Sequence, residues 1–259
     1  MSELNTWLAR QPIRGECRLR MFCLPFAGGG AQIYRNYAQM LPDGVEVCAV
    51  QLPGRERRFG EPALTSVGEI VTCMLPIMGQ LVDVPYVVLG HSLGALTGFE
   101  LIRGMRRAEM PLPVHLIASG HRGPQLPDPD SPIHDLPDGD FIEELTKLNG
   151  TPVEVFESPE LVELMLPLLR ADFAAAETYL YVDEQPLECP ITALGGDSDP
   201  LVGVSEIEAW REQTTAAFDP HTLTGDHFFF QQSQTQFLQI LNNVLSTVLS
   251  ELPGYGGQP

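Results

Sequence analysis

Nine residues, Tyr86-Val87-Val88-Leu89-Gly90-His91-Ser92-Leu93-Gly94, constrain what this chain can fold into more than any other stretch. The apolar, valine-rich run reads as a buried strand, and Ala95 to Arg107 reads as a helix. Between them lies a Gly-His-Ser-Leu-Gly turn. Strand, turn and helix in that order distinguish a nucleophile elbow from a chance G-x-S-x-G match. Such a turn is tight enough to strain the backbone at Ser92. It also requires residues without β-carbons at Gly90 and Gly94, where strand and helix come closest. The strain would lift the Ser92 hydroxyl above the sheet, at the start of a helix whose first N–H groups are free to stabilise an oxyanion.

An elbow needs a parallel sheet around it, and the rest of the chain supplies the pattern. Arg18 to Leu24, Val45 to Gln51, Val114 to Ser119, Ile191 to Gly195 and Phe218 to Leu223 read as strands. Helical segments are expected at Ile33 to Leu41, at Val67 to Val82 with a break at Pro76, at Ala209 to Thr214, and at Phe228 to Leu249. Alternating strands and helices imply crossover connections and a doubly wound α/β sheet. From about 121 to 188 the alternation stops: five prolines fall between Pro124 and Pro137, followed by helices at Asp138 to Leu148 and Pro159 to Tyr181. A helical insertion there is expected to form a lid over the site. Ser158 suits the cap of its second helix and Pro159 the first position. The apolar residues of that helix, among them Leu161, Leu164, Met165, Leu168, Leu169 and Phe173, exceed what one packed stripe needs. They either line an acyl pocket or pack as core. The tail Pro253 to Pro259 reads as disordered, and residues 1–259 as one domain.

Composition excludes several classes. The net charge is -19, with 12 Lys+Arg and 10 Asp+Glu in residues 1–122 against 3 and 24 in residues 123–259. Such an acidic second half argues against nucleic acid, which needs a basic face. It is either a solvated surface or a reason for an acidic partner to dock on the first half. No run approaches the roughly 18 to 20 apolar residues of a membrane span, and Met1 to Arg20 lacks a signal-peptide core. Five widely spaced cysteines, with no Cys-x-x-Cys pair, indicate neither disulfides nor zinc. The expected setting is a reduced cytoplasm, and nothing demands more than a monomer. Asp197-Ser198-Asp199 with Glu208 mimics a calcium loop, but Pro200, Leu201 and Val202 occupy positions that should bind oxygen or turn sharply. Gly28-Gly29-Gly30 lacks the rest of a dinucleotide fingerprint. Neither metal nor cofactor is indicated.

A serine nucleophile requires a base, and the base an orienting carboxylate, which follow such an elbow in the order acid then base. His227 lies in Thr224-Gly225-Asp226-His227-Phe228, after the last strand and before the last helix, and is the expected base. His221 falls inside that strand, and Asp226 reads as a turn residue. For the acid, Gly195-Gly196-Asp197-Ser198-Asp199-Pro200 offers Asp199, favoured by its distance from the strand end, with Asp197 as the alternative. The oxyanion hole needs two N–H donors. One is the Leu93 amide, and the other should come from the Phe26-Ala27-Gly28 loop after an early strand.

Five motifs together, Pro25-Phe26-Ala27-Gly28-Gly29, Gln51-Leu52-Pro53-Gly54-Arg55-Glu56, the elbow, Gly196-Asp197-Ser198-Asp199 and Gly225-Asp226-His227-Phe228, resemble the type II thioesterases of polyketide and nonribosomal peptide synthesis. The resemblance runs from about Arg18 to Leu249. Pro-Gly-Arg-Glu makes it specific, since the elbow alone would suit any lipase. It implies an α/β-hydrolase fold and an editing enzyme that removes stalled acyl or aminoacyl groups from the phosphopantetheine thiol of carrier proteins, and that also accepts acyl-CoA. It carries the triad onto Ser92, Asp199 and His227 and the oxyanion donors onto Ala27 and Leu93; Phe26, with Met165, Leu168, Leu169 and Phe173 of the expected lid, is a candidate substrate contact. Carriers of this kind are acidic, which makes Arg55, Arg57, Arg58, Arg103, Arg106 and Arg107 either docking contacts or ordinary solvated arginines. An acyltransferase or macrocyclising release enzyme, a carboxylesterase, and a non-catalytic scaffold are the competing readings.

Overall fold

The computed structural model describes residues 3–148 and 158–252. Seven strands, β1 (Leu8–Arg10), β2 (Leu19–Leu24), β3 (Val45–Val50), β4 (Tyr86–His91), β5 (His115–Ser119), β6 (Ile191–Gly196) and β7 (Phe218–Leu223), form one sheet in the order β1-β3-β2-β4-β5-β6-β7. β1 runs antiparallel to β3, and every other neighbouring pair is parallel. β2, β3, β4 and β6 are buried along their whole length, because helices cover both faces of the sheet. That double coverage is why they read as apolar runs rather than alternating ones.

The two faces separate by residue parity. Phe22, Leu24, Val88 and Leu116 pack on one side, against helices α3 (Val67–Met78) and α4 (Leu93–Arg107). Met21, Cys23, Val87, Leu89 and Ile117 pack on the other, against Phe237, Leu241 and Leu245 of the closing helix, Gln234–Glu251.

Several local expectations are corrected. The chain opens with a short helix (Glu3–Trp7) and the edge strand β1, neither visible in the sequence pattern. β1 exists because β3 offers it a partner: Leu8 pairs with Val50, and Arg10 donates from Nε to the Glu46 carboxylate at 2.8 Å. The segment expected as one helix from Ile33 to Leu41 is a 3-10 turn, Ala31–Tyr34, followed by a single helical turn, Tyr37–Met40. α3 runs through Pro76 but ends two residues later at Met78, short of the expected Val82, since the proline offers no N–H to the helix. The closing helix is interrupted at Ser233, leaving Phe229–Gln232 as a separate turn.

Between β5 and β6 the described residues contain two helices, α5 (Asp138–Lys147) and α6 (Pro159–Glu177), and no strand. Ser158 caps α6 through its hydroxyl, which accepts from the Leu161 amide at 3.4 Å. α6 ends at Glu177, four residues before the expected Tyr181. The tail from Pro253 lies outside the described residues.

Candidate active site

Strand register brings four loops to one end of the sheet. Leu24 of β2 pairs with Gly90 of β4, His91 with Ser119 of β5, Ser119 with Leu194 of β6, and Gly196 with Leu223 of β7. Ala27 follows Leu24 by three residues, Ser92 follows Gly90 by two, Asp199 follows Gly196 by three, and His227 follows Leu223 by four. All four leave the carboxyl ends of parallel strands, where open α/β sheets gather their functional groups.

Ser92 has φ 54° and ψ -121°, left-handed backbone in a non-glycine residue. A strained residue persists only when its surroundings over-determine it, and here they do. The Ser92 amide donates to the Ser119 carbonyl at 2.8 Å, and its carbonyl accepts from the Ala95 amide at 2.8 Å. A β-carbon on Gly90 would collide with the backbone of Gly94, and one on Gly94 with the carbonyls of Leu24 and Pro25. Leu93 begins α4, so its amide has no acceptor within the helix.

His227 donates from Nδ1 to Asp199 Oδ2 at 2.8 Å, and both side chains are buried. In the neutral ring that bond places the proton on Nδ1 and leaves Nε2 as the acceptor nitrogen. Asp199 is held in turn by the Leu201 amide, which donates to Oδ1 at 2.9 Å. The structure therefore sets Asp199, and not Asp197, against His227. Asp197 is exposed and joins the two loops: its Oδ1 accepts from the Gly225 amide at 3.0 Å, and that amide with the Ser198 hydroxyl holds its carboxyl below the usual range. Asp226 accepts from the Phe228 amide at 2.8 Å, the turn role expected of it. His221 pairs with Asp219 on β7 at 2.8 Å.

His91, unassigned by sequence reasoning, lies at the centre of the site. Its ring packs within 6.1 Å of Phe26, Phe228, Phe229 and Phe230, and 5.2 Å from the His227 ring. It thus touches the loop carrying Ala27, the loop carrying His227, and, through a 2.9 Å hydrogen bond between Nδ1 and Ser119 Oγ, the end of β5. Burial, and then the neighbouring His227, hold its imidazole well below the ordinary value, and burial lowers His121 to about 4. These shifts predict acid sensitivity. Above pH ~6.5 both rings are neutral in folded and unfolded chains alike. Below it the unfolded chain protonates them and the folded chain does not, until pH reaches about 4 for His121. Each ring then costs about 1.4 kcal/mol of stability per pH unit. Urea titrations at pH 7, 6 and 5 are expected to give midpoints that fall progressively; an unchanged midpoint across that window would contradict the burial of these rings in neutral form.

The lid residues are placed unevenly. Leu169 reaches Gly28, where a β-carbon would stand 2.6 Å from its Cδ2. Leu169, Met165 and Phe173 join Phe141, Leu145 and Leu166 in a cluster between α5 and α6, with the Phe141 and Phe173 rings 5.7 Å apart. Leu168 is buried, whereas Leu161 and Leu164 expose 42% and 48% of their surface. Phe26 packs against Phe228 with ring centroids 5.1 Å apart.

The docking arginines are corrected more sharply. Arg55, Arg58 and Arg103 are buried. Arg55 pairs with Asp172, Arg58 with Glu61 while lying 4.1 Å over the Trp7 ring, and Arg103 with Glu100. Arg106 and Arg107 both reach Glu184. Among the six, Arg57 is exposed with no ion pair among the described residues. The signal that could have found the Arg55 contact is Asp172 itself, a carboxylate set among Leu168, Leu169 and Phe173 on an apolar helix face.

The family model for the Thioesterase domain matches residues 19–245. The chain is similar to the gramicidin S biosynthesis protein GrsT of Aneurinibacillus migulanus, 42% identical over 250 residues that cover 96% of this chain and 98% of that protein. It is similar to thioesterase PikA5 of Streptomyces venezuelae at 35% identity, covering 94% of this chain and 85% of PikA5. Among solved structures, the type II thioesterase BorB from the borrelidin biosynthetic cluster matches with a TM-score of 0.83 and 36% identity, over 94% of this chain and 98% of BorB. The chain belongs to the thioesterase family, as a type II thioesterase of polyketide and nonribosomal peptide synthesis with an α/β-hydrolase fold.

Proposed function

We propose that this thioesterase hydrolyses acyl and aminoacyl thioesters on the phosphopantetheine arm of carrier proteins, freeing stalled synthases, with Ser92 as nucleophile, His227 as base and Asp199 as orienting acid. The observation that carries this reading is the buried 2.8 Å bond from His227 to Asp199, beside an elbow whose serine is held in strained backbone. Ser92 attacks the thioester carbonyl while His227 Nε2 takes its proton. The Ala27 and Leu93 amides hold the oxyanion, and the pantetheine thiol leaves with the proton from His227. Water then attacks the acyl-enzyme, again with His227 as base, and returns Ser92. The 121–188 segment acts as a lid within a single domain. The enzyme works as a monomer in the cytoplasm and also accepts acyl-CoA; among the described residues no helix is long and apolar enough to cross a membrane.

The test is thiol release from a propionyl-loaded carrier protein, compared with propionyl-CoA and with an oxygen ester of the same acid. Release from the loaded carrier at a higher kcat/KM than from either small substrate is the expected result. Faster cleavage of the oxygen ester, or acyl transfer to an alcohol in place of free acid, would overturn the reading.

A further inference from the structure

The loop after β2 carries Ala27, and its own sequence holds it only partly: the Gly29 amide closes a turn on the Phe26 carbonyl at 2.9 Å, with Gly28 at φ 78°. The rest of its support comes from outside. The Gly28 amide donates to Asp172 Oδ2 at 2.6 Å. Arg55 Nη1 donates to the Gly29 carbonyl at 3.0 Å, and the Gln32 amide donates to Glu56 Oε1 at 2.9 Å. Arg55 then grips both oxygens of Asp172, Nη1 to Oδ2 and Nη2 to Oδ1, each at 2.7 Å. The side chains of Arg55 and Asp172 are 4% and 1% exposed.

Two features mark this brace as more than packing. A buried ion pair is a poor route to stability, since apolar residues of similar volume often do as well or better. Glu56, in addition, sits at φ 49°, a left-handed position that a non-glycine residue holds only when its surroundings impose it. The brace also joins distant parts of the chain. Arg55 and Glu56 leave β3, whereas Asp172 rides on α6, one turn beyond the Leu169 side chain that packs on Gly28.

We propose that Asp172 and Arg55 are positioning residues for the oxyanion hole: their pair aligns the Ala27–Gly28 backbone only while α6 is seated on it. Lifting α6 withdraws Asp172 from the Gly28 amide and from Arg55 together, so the loop loses its alignment as the lid opens. The hole is then complete only around an enclosed substrate. This inference rests on the catalytic roles proposed above for Ser92 and the Ala27 amide.

The test uses the full chain with the double substitution Arg55→Met/Asp172→Leu, which strands no charge, and Asp172→Asn, which keeps the shape. Each is measured for urea midpoint, for kcat and KM on propionyl-CoA, and for the rate at which an alkyl phosphonofluoridate modifies Ser92, a reaction whose phosphoryl oxygen occupies the oxyanion hole. For the double variant the expected result is a midpoint near the parent's and KM within about threefold. kcat and the phosphonylation rate both fall at least about tenfold, toward the scale set by loss of one oxyanion donor. A folded double variant with parental kcat and phosphonylation would reduce the pair to a structural contact and overturn the proposal. Should the double variant not fold, Asp172→Asn decides by the same criterion. A parent enzyme that the phosphonofluoridate leaves unmodified at Ser92 would instead overturn the catalytic reading beneath it.

Discussion

Replacing Ser92 by alanine is expected to lower thiol release from a loaded carrier by about 10⁴-fold or more, with little change in fold. In the proposed mechanism the hydroxyl forms the acyl-enzyme, and no neighbouring group stands in for it. The amides of Ala27 and Leu93 would remain, so a residue of activity above the uncatalysed rate is expected, carried by oxyanion binding to attacking water. The substitution should be benign structurally, because the strain at φ 54° is imposed by the backbone bonds to Ser119 and Ala95 and not by the side chain. Alanine in a left-handed position is no worse placed than serine. Measured on carrier-bound propionate with circular dichroism alongside, a folded Ser92→Ala variant with parental activity would remove Ser92 from the mechanism.

The second large effect is at the acid. Asp199→Asn is expected to lower kcat by about 10³- to 10⁴-fold, the scale seen when an orienting carboxylate becomes an amide and the histidine adopts the wrong tautomer. The loss arises because the introduced side-chain amide would present a donor where His227 Nδ1 needs an acceptor, shifting the ring to the tautomer in which Nε2 carries the proton. Asp197→Asn provides the contrast. Asp197 accepts from the Gly225 amide and the Ser198 hydroxyl on the surface, and an amide oxygen can still accept from either. Its kcat is expected to stay within about threefold of the parent, with a small loss of stability from a weakened loop contact. Equal losses at the two positions would contradict the division of labour between these carboxylates.

Legibility in the sequence followed the range of the interaction. The elbow was readable because strand, turn and helix are consecutive, and Gly90 and Gly94 answer a clash inside one motif. β3 and β4 were readable because burial on both faces leaves valine-rich runs. Asp199 was favoured over Asp197 by its distance from the end of β6 together with the apolar Leu201-Val202 that follows it. What escaped was determined across the fold. β1 is three residues long and owes its existence to the edge of β3. The turns at 31–40 lack enough consecutive helical bonds to decide their geometry locally. Arg55 and Asp172 meet across 117 positions of sequence, and nothing near Pro-Gly-Arg-Glu announces that its arginine turns inward. His91 reads as filler within the elbow until three phenylalanines after His227 close around it.

The inward turn of those arginines alters how the molecule meets others in solution. Arg20, Arg55, Arg58, Arg103 and Arg122 are all buried, and each spends its charge on carboxylates and carbonyls of this chain. The outer shell is left with fewer cations than a net charge of -19 already implies. If the proposed carrier is itself acidic, the two would repel at a distance, with no net attraction to speed their encounter. At cellular ionic strength that repulsion fades within roughly 8 Å. On the proposed function, selection among carriers would then be settled at touching range, by shape and by what the pantetheine arm brings with it, and not by attraction from afar.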